Sequence, residues 1–216
     1  MSARNYGQAC SVANFLDRLG GRWTLLIIRD LLIGPRRYKD LLEGLPGIGT
    51  NLLARRLREL QDLEIIEKST DTNNAGIYYV LTEKGLALEP VIVSMAVWGM
   101  QHLHADYADK LNRPDLLVVA FRAAFNAEQA VGINESYELR IGDTVFHAHV
   151  HNGKLSTGLG TADHPALVYI TDTETFGQLA FGELSPASAR ESGVLDIIGD
   201  ESAFQRFLRI FSAPDS

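Results

Sequence analysis

The chain is short of the features that would mark an enzyme, a secreted protein or a membrane protein. Its single cysteine, Cys10, cannot close an internal disulfide. The most apolar stretches, residues 23–33 and 90–100, are broken by charge or fall well short of the roughly 20 residues needed to cross a bilayer. No N-terminal segment joins a basic start to a long apolar run and a small-residue cleavage site, so a cytoplasmic protein with no membrane span is expected. Also missing are a phosphate-cradling glycine loop, a nucleophile elbow and a metal motif of good spacing, and the 19 glycines are scattered as turns. No catalytic residue, metal or cofactor is therefore expected. Basic residues are in the minority, 20 against 27 acidic, and a net charge of −7 speaks at first sight against nucleic acid.

What is present suits two folded domains. The 216 residues exceed one ordinary domain, and 46% hydrophobic with 22% charged content is enough to bury real cores. The charge is unevenly spread. Residues 1–110 carry 13 basic and 13 acidic side chains, net 0, whereas residues 111–216 carry 7 and 14, net −7. Between residues 22 and 60 eight basic groups (Arg22, Arg29, Arg36, Arg37, Lys39, Arg55, Arg56, Arg58) face four acidic ones. The acidic excess belongs to the half expected to face away from DNA phosphates.

The pattern of the first half is ordered. Apolar residues recur at helical spacing over 12–19 and 23–32, with Gly20-Gly21 between them and Gly34-Pro35 as the stop. Tyr38, Leu41, Leu42 and Leu45 mark a short helix ended by Pro46-Gly47. Thr50 is expected to N-cap a helix to about Leu63 whose stripe Leu53, Leu57 and Leu60 is buried, so that Asn51, Arg55 and Arg58 point outward. Strand-like runs 65–69 and 77–81 flank a loop of turn formers and read as a hairpin, and a long apolar helix from about Glu83 to Leu103 asks for a partner surface. This order is that of a winged helix-turn-helix, whose second helix enters the major groove. The expected DNA contacts are Thr50, Asn51, Arg55, Arg56 and Arg58 on that helix, with Arg36, Arg37 and Lys39 beside the preceding one. Arginine reads guanine and asparagine reads adenine through paired hydrogen bonds. The hairpin tip lacks Lys and Arg, so any contact from it falls to Asn73 and Asn74.

Five blocks in order, Cys10-Ser11-Val12, Leu19 to Ile27, Gly34 to Tyr38, Leu53 to Leu60 and Tyr79 to Gly85, resemble the HxlR-type transcriptional regulators, relatives of the MarR winged-helix group, over about residues 8–105. The resemblance implies a homodimer on pseudo-palindromic double-stranded DNA, with flanking helices forming the dimer interface. It also aligns Cys10 with a cysteine that several members use to sense oxidants or electrophiles.

A domain boundary is expected at Asn112-Arg113-Pro114-Asp115, giving a DNA-binding and dimerisation domain at 1–111 and a second domain at 112–216. The second half begins with an apolar helix, 116–125. Strands at 137–141, 145–150, 155–159 and 167–171, joined by short Gly-Asp and Asn-Gly turns, then predict an antiparallel meander, with a possible fifth strand at 194–198. Helices follow at 173–181, 185–191 and 201–211. The stretches Leu167 to Asp172, Phe176 to Ala189, Gly193 to Asp200 and Phe204 to Phe211 resemble the sterol carrier protein type 2 fold. That likeness implies a cavity for an apolar small-molecule effector, lined by Phe176, Leu179, Phe181, Phe204, Phe207 and Phe211. The same residues also suit a solid core. The fold class is thus α+β, a winged helix-turn-helix followed by an antiparallel sheet covered by helices. Along one strand His147, His149 and His151 share a face, but with steps of about 6.5 to 7 Å three ligands converging on one ion from a single strand would be strained. The sequence leaves three functions open: a DNA-binding regulator with an effector domain, a lipid-binding or transfer protein that uses the winged helix only to dimerise, and, least favoured, a metal-dependent enzyme at the histidine strand.

Overall fold

In the computed structural model, residues 5–70, 76–102, 113–180 and 182–211 are described. The chain divides into two compact units, Met1–Ile92 and Val93–Ser216. The expected boundary at 111/112 lies outside the described residues.

The first unit runs α1 (Ser11–Leu19), α2 (Thr24–Ile33), α3 (Tyr38–Gly44), α4 (Thr50–Asp62), β1 (Ile66–Thr70), β2 (Ile77–Leu81) and α5 (Glu83–Leu86), and α6 (Glu89–His102) begins in it. Gly20 ends α1 where a side chain would meet the Leu16 carbonyl oxygen at 2.5 Å. Trp23 then takes a left-handed conformation, φ 78°, to start α2 at a new angle. The stripe Leu53, Leu57 and Leu60 is buried with Ile27, Ile28, Leu41 and Leu45, and this cluster holds α4 to the other helices. Truncating any of these leucines to alanine costs about 2 to 5 kcal/mol. Two expectations need correction. Gly49, not Thr50, is the N-cap of α4, in extended conformation and with no side-chain cap, and Thr50 is the first helical residue. The long helix after the hairpin is broken into α5 and α6. Thr82 caps α5 by accepting from the Gly85 N–H, and residues 87 and 88 separate it from α6.

β1 and β2 pair antiparallel from Ile66↔Leu81 to Thr70↔Ile77. Arg36 adds a third edge: its N–H donates to the Tyr79 carbonyl at 3.1 Å and its carbonyl accepts from the Tyr79 N–H at 2.8 Å. The hairpin is thereby fixed to the segment that leads into α3.

The second unit contains α7 (Leu117–Ala123), β3 (Asn134–Ile141), β4 (Thr144–His151), β5 (Lys154–Leu159), β6 (Leu167–Thr171), α8 (Thr173–Ala180), α9 (Pro186–Glu191), β7 (Leu195–Gly199) and α10 (Glu201–Ile210). All five expected strands form, in the order β5-β4-β3-β6-β7. The expected antiparallel meander does not, because β6 pairs parallel with β3, and the sheet is mixed. The connecting loop is long enough to allow it. Residues 160–166 have to span three strand spacings, about 14 Å, and an extended heptapeptide covers about 23 Å. β6 can therefore take the open edge of β3 rather than extend from β5.

Candidate nucleic-acid interface

Beyond the buried leucines, one phenol ties α3 to α4. The Tyr38 hydroxyl donates to the Thr50 carbonyl at 2.8 Å, joining the start of α3 to the start of α4. At the N-terminus of α3, the Arg37 N–H donates to the Asp40 carboxylate at 2.8 Å. With the stripe turned inward, Thr50, Asn51, Arg55 and Arg58 are exposed along one side of α4. These donors share a helix face narrow enough for a major groove.

The neighbouring basic residues divide into two kinds. Lys39 stands in solvent, 81% exposed, with only a loose 3.5 Å pairing to Glu43. Such a pair is worth little and yields readily to a phosphate. Arg36 and Arg37 are tied to the protein. Arg36 Nε donates to the Asp30 carbonyl at 3.4 Å. Arg37 donates to the Tyr78 hydroxyl at 2.7 Å and lies over that ring at 4.9 Å. Its guanidinium passes so close to Gly76 that a side chain there would approach it to 3.1 Å. These contacts clip the hairpin to α3. Asn73 and Asn74 lie outside the described residues.

Arg56, grouped with the outward arginines by sequence, is placed differently. Its side chain is 16% exposed against 46% for Arg55. It turns back to the α1–α2 junction, where Nε donates to the Arg22 carbonyl at 3.2 Å and Nη1 to Glu59 at 2.6 Å. The helical wheel carries the signal: at 100° per residue Arg56 falls about 60° from Leu53, on the flank of the buried stripe. The partners Tyr38, Tyr78 and Gly21 had no such signal, because each meets its arginine or helix only through the tertiary fold.

Cys10 is exposed and occupies the N-cap position of α1. The N–H groups of Ala13 and Val12 favour its thiolate and hold the thiol below its ordinary range.

In the second unit three of the expected effector residues, Phe176, Phe207 and Phe211, lie against other aromatic rings. Phe121 lies 4.2 Å from Phe211 and 5.6 Å from Phe207, and Phe207 lies 5.4 Å from Tyr137 and 5.5 Å from Tyr169, centroid to centroid. Phe204 and Phe207 are buried, whereas Phe176, Leu179 and Phe211 are half-buried. Phe181 lies outside the described residues. Burial and the bond it donates to Glu135 push the Tyr137 phenol well up.

On β4 the expected alternation holds. Phe146, Ala148 and Val150 are buried in the core, while His147 and His149 are half-buried on the opposite face, their rings 5.1 Å apart. His149 Nδ1 bonds Ser136 Oγ at 2.6 Å and His147 Nδ1 lies 3.2 Å from the Gly160 carbonyl. Among the described residues no group of three or more His, Cys, Asp or Glu is placed to hold a metal ion, and no helix is long and apolar enough to cross a membrane.

Known proteins match the part of the chain that carries α4. The HxlR-like helix-turn-helix family matches residues 18–107. The HTH-type transcriptional regulator YodB of Bacillus subtilis is 43% identical over 84 residues, covering 38% of this chain and 75% of the relative. An uncharacterised HTH-type transcriptional regulator of Synechocystis is 33% identical over 101 residues, covering 46% of this chain and 75% of the relative. The solved reduced form of YodB is 37% identical over 45% of this chain and 97% of its own, with a TM-score of 0.39. The family match stops short of α7 and the sheet that follows. With an arginine-bearing helix set outward on a buried leucine stripe, and relatives that are regulators rather than enzymes, the chain belongs to the HxlR-like helix-turn-helix family of transcriptional regulators.

Proposed function

We propose that the protein is a homodimeric regulator that reads a pseudo-palindromic operator with α4 of each protomer, while its C-terminal unit binds an apolar effector. The observation that carries the DNA reading is the division of α4: Leu53, Leu57 and Leu60 are buried, and Asn51, Arg55 and Arg58 are exposed. Arg55 and Asn51 are the base readers in this account, and Lys39 is a phosphate contact. A dimer on one face of B-DNA sets its two recognition helices about 34 Å apart. Exposed apolar side chains are available to it separately on two helices, Val12 and Leu16 one turn apart on α1, and Val91, Met95 and Trp98 at i, i+4, i+7 on α6.

The effector reading rests on the sterol-carrier-like run of strands and helices and on the aromatic cluster. In this reading half-buried Phe176, Leu179 and Phe211 are the ligand's point of entry, and buried Phe204 and Phe207 lie beneath it. An effector alters DNA binding only by favouring one arrangement of the two recognition helices over the other. Cys10 gives a second input, since an exposed thiolate at a helix start reacts with electrophiles.

Binding of the full chain to duplex selected from a random pool, measured across a salt series, tests the first part. A steep fall in affinity with salt supports it, and no salt-dependent binding favours the lipid-binding alternative. Native mass spectrometry of freshly purified protein tests the second part through a retained apolar ligand.

A further inference from the structure

Arg56 lies on the recognition helix yet sends its charge away from the face that meets DNA. Its guanidinium is lodged in a site that glycine creates. A Cβ on Gly21 would stand 2.6 Å from Arg56 Cζ and 2.7 and 2.8 Å from its two terminal nitrogens, so no larger residue at 21 is compatible with this placement. The fork is used on two sides, with the Arg22 carbonyl taking Nε–H at 3.2 Å and Glu59 taking Nη1–H at 2.6 Å. The other oxygen of Glu59 lies 3.6 Å from Arg55 Nε. One carboxylate therefore joins an inward arginine to an outward one. The turn that receives Arg56 is itself fixed: Gly21 accepts from the Thr24 N–H at 3.0 Å, and Arg22 lies over the Trp23 ring at 5.0 Å.

We propose that Arg56 is a positioning residue of the recognition helix: it straps α4 to the Gly21–Trp23 turn and, through Glu59, sets the angle at which Arg55 meets the bases, without touching DNA itself. This rests on the DNA reading above. Lysine cannot replace it, because a single ammonium does not reproduce two divergent N–H bonds in a fixed plane. Gly21→Ala is a matched probe. The atoms in its way are the far end of a flexible side chain, so the fold accommodates the methyl while the guanidinium is expelled and every charge is kept.

The test measures binding of the unsubstituted protein, Gly21→Ala, Arg56→Gln, Arg56→Lys and the Gly21→Ala/Arg56→Gln double variant to the selected duplex and to random duplex across a salt series. Positioning predicts a loss of about tenfold on the selected duplex for every variant, a smaller loss on random duplex, an unchanged salt slope, and a double variant no weaker than either single one. Partial unfolding would scale both duplexes alike and so overturns the proposal. A slope reduced by about 0.9 for Arg56→Gln, with Gly21→Ala binding normally and Arg56→Lys retaining affinity, makes Arg56 a phosphate contact and overturns it as well. If the unsubstituted protein shows no salt-dependent binding, the DNA reading falls and this proposal falls with it. Normal wild-type binding with silent variants removes the proposal alone.

Discussion

Tyr38 and Thr50 are joined across the turn of the helix pair by a hydrogen bond from the phenol to the backbone carbonyl, 2.8 Å long. The bond fixes the start of α4 against the start of α3, the two ends whose separation sets the angle of insertion into a groove. Tyr38→Phe keeps the ring and removes only this bond. Its expected cost is about 1 kcal/mol in urea denaturation, with a matching decrease in DNA affinity. Unchanged stability and affinity would show that the leucine stripe alone sets the angle.

Gly85 is required by a close approach rather than by its own conformation. A side chain there would run into the Ile65 carbonyl oxygen and the Leu81 methyl, at the point where α5 crosses the base of the hairpin. Gly85→Ala is expected to destabilise the protein by about 1 to 3 kcal/mol, the usual range for overpacking. The shift should be read from the urea midpoint at unchanged slope, and a midpoint equal to that of the unsubstituted chain would contradict the crossing.

At the N-cap of α1 the Ala13 and Val12 N–H groups face the Cys10 thiol and favour its charged form, which lowers its pKa from the ordinary value. The sign follows directly: the thiolate persists to lower pH than in a free cysteine. The rate of alkylation plotted against pH should have its midpoint below that of a free cysteine measured under the same conditions. Unfolding in urea should move it back up. A midpoint at or above the free value would remove the basis for a sensing role.

Phe207 touches Phe121, Tyr137, Tyr169 and Phe211. Phe207→Ala is expected to cost about 3 to 5 kcal/mol by denaturation if the cluster is a solid core. A much smaller cost would contradict the packing of these four rings on Phe207.

The order of elements was legible because each carries its own period and its own stop. Leu53, Leu57 and Leu60 repeat at helical spacing, and Phe146, Ala148 and Val150 alternate with the histidines. Neighbours were harder to read. Strand alternation tells which face a residue takes but not which edge it joins, so the parallel pairing of β6 with β3 left no trace in residues 167–171. Charge alone likewise placed Arg56 beside Arg55. Only the short distance to Gly21, 35 residues away along the chain, sets Arg56 apart from the outward arginines. The net charge of −7 misleads in the same way, since it is the property of the second half and not of the arginine-bearing helix α4.

The outward face of α4 is most directly tested by binding of Arg55→Ala and Lys39→Ala to the selected and random duplexes across a salt series. Loss of a base reader should weaken binding of the selected duplex by about 1 to 3 kcal/mol and relax specificity, whereas loss of a phosphate contact should weaken both duplexes alike and lower the salt slope by about 1. That is the predicted outcome for Arg55 and Lys39 respectively. Equal losses for Arg55→Ala on selected and random duplex would contradict the assignment of α4 as the helix that reads sequence.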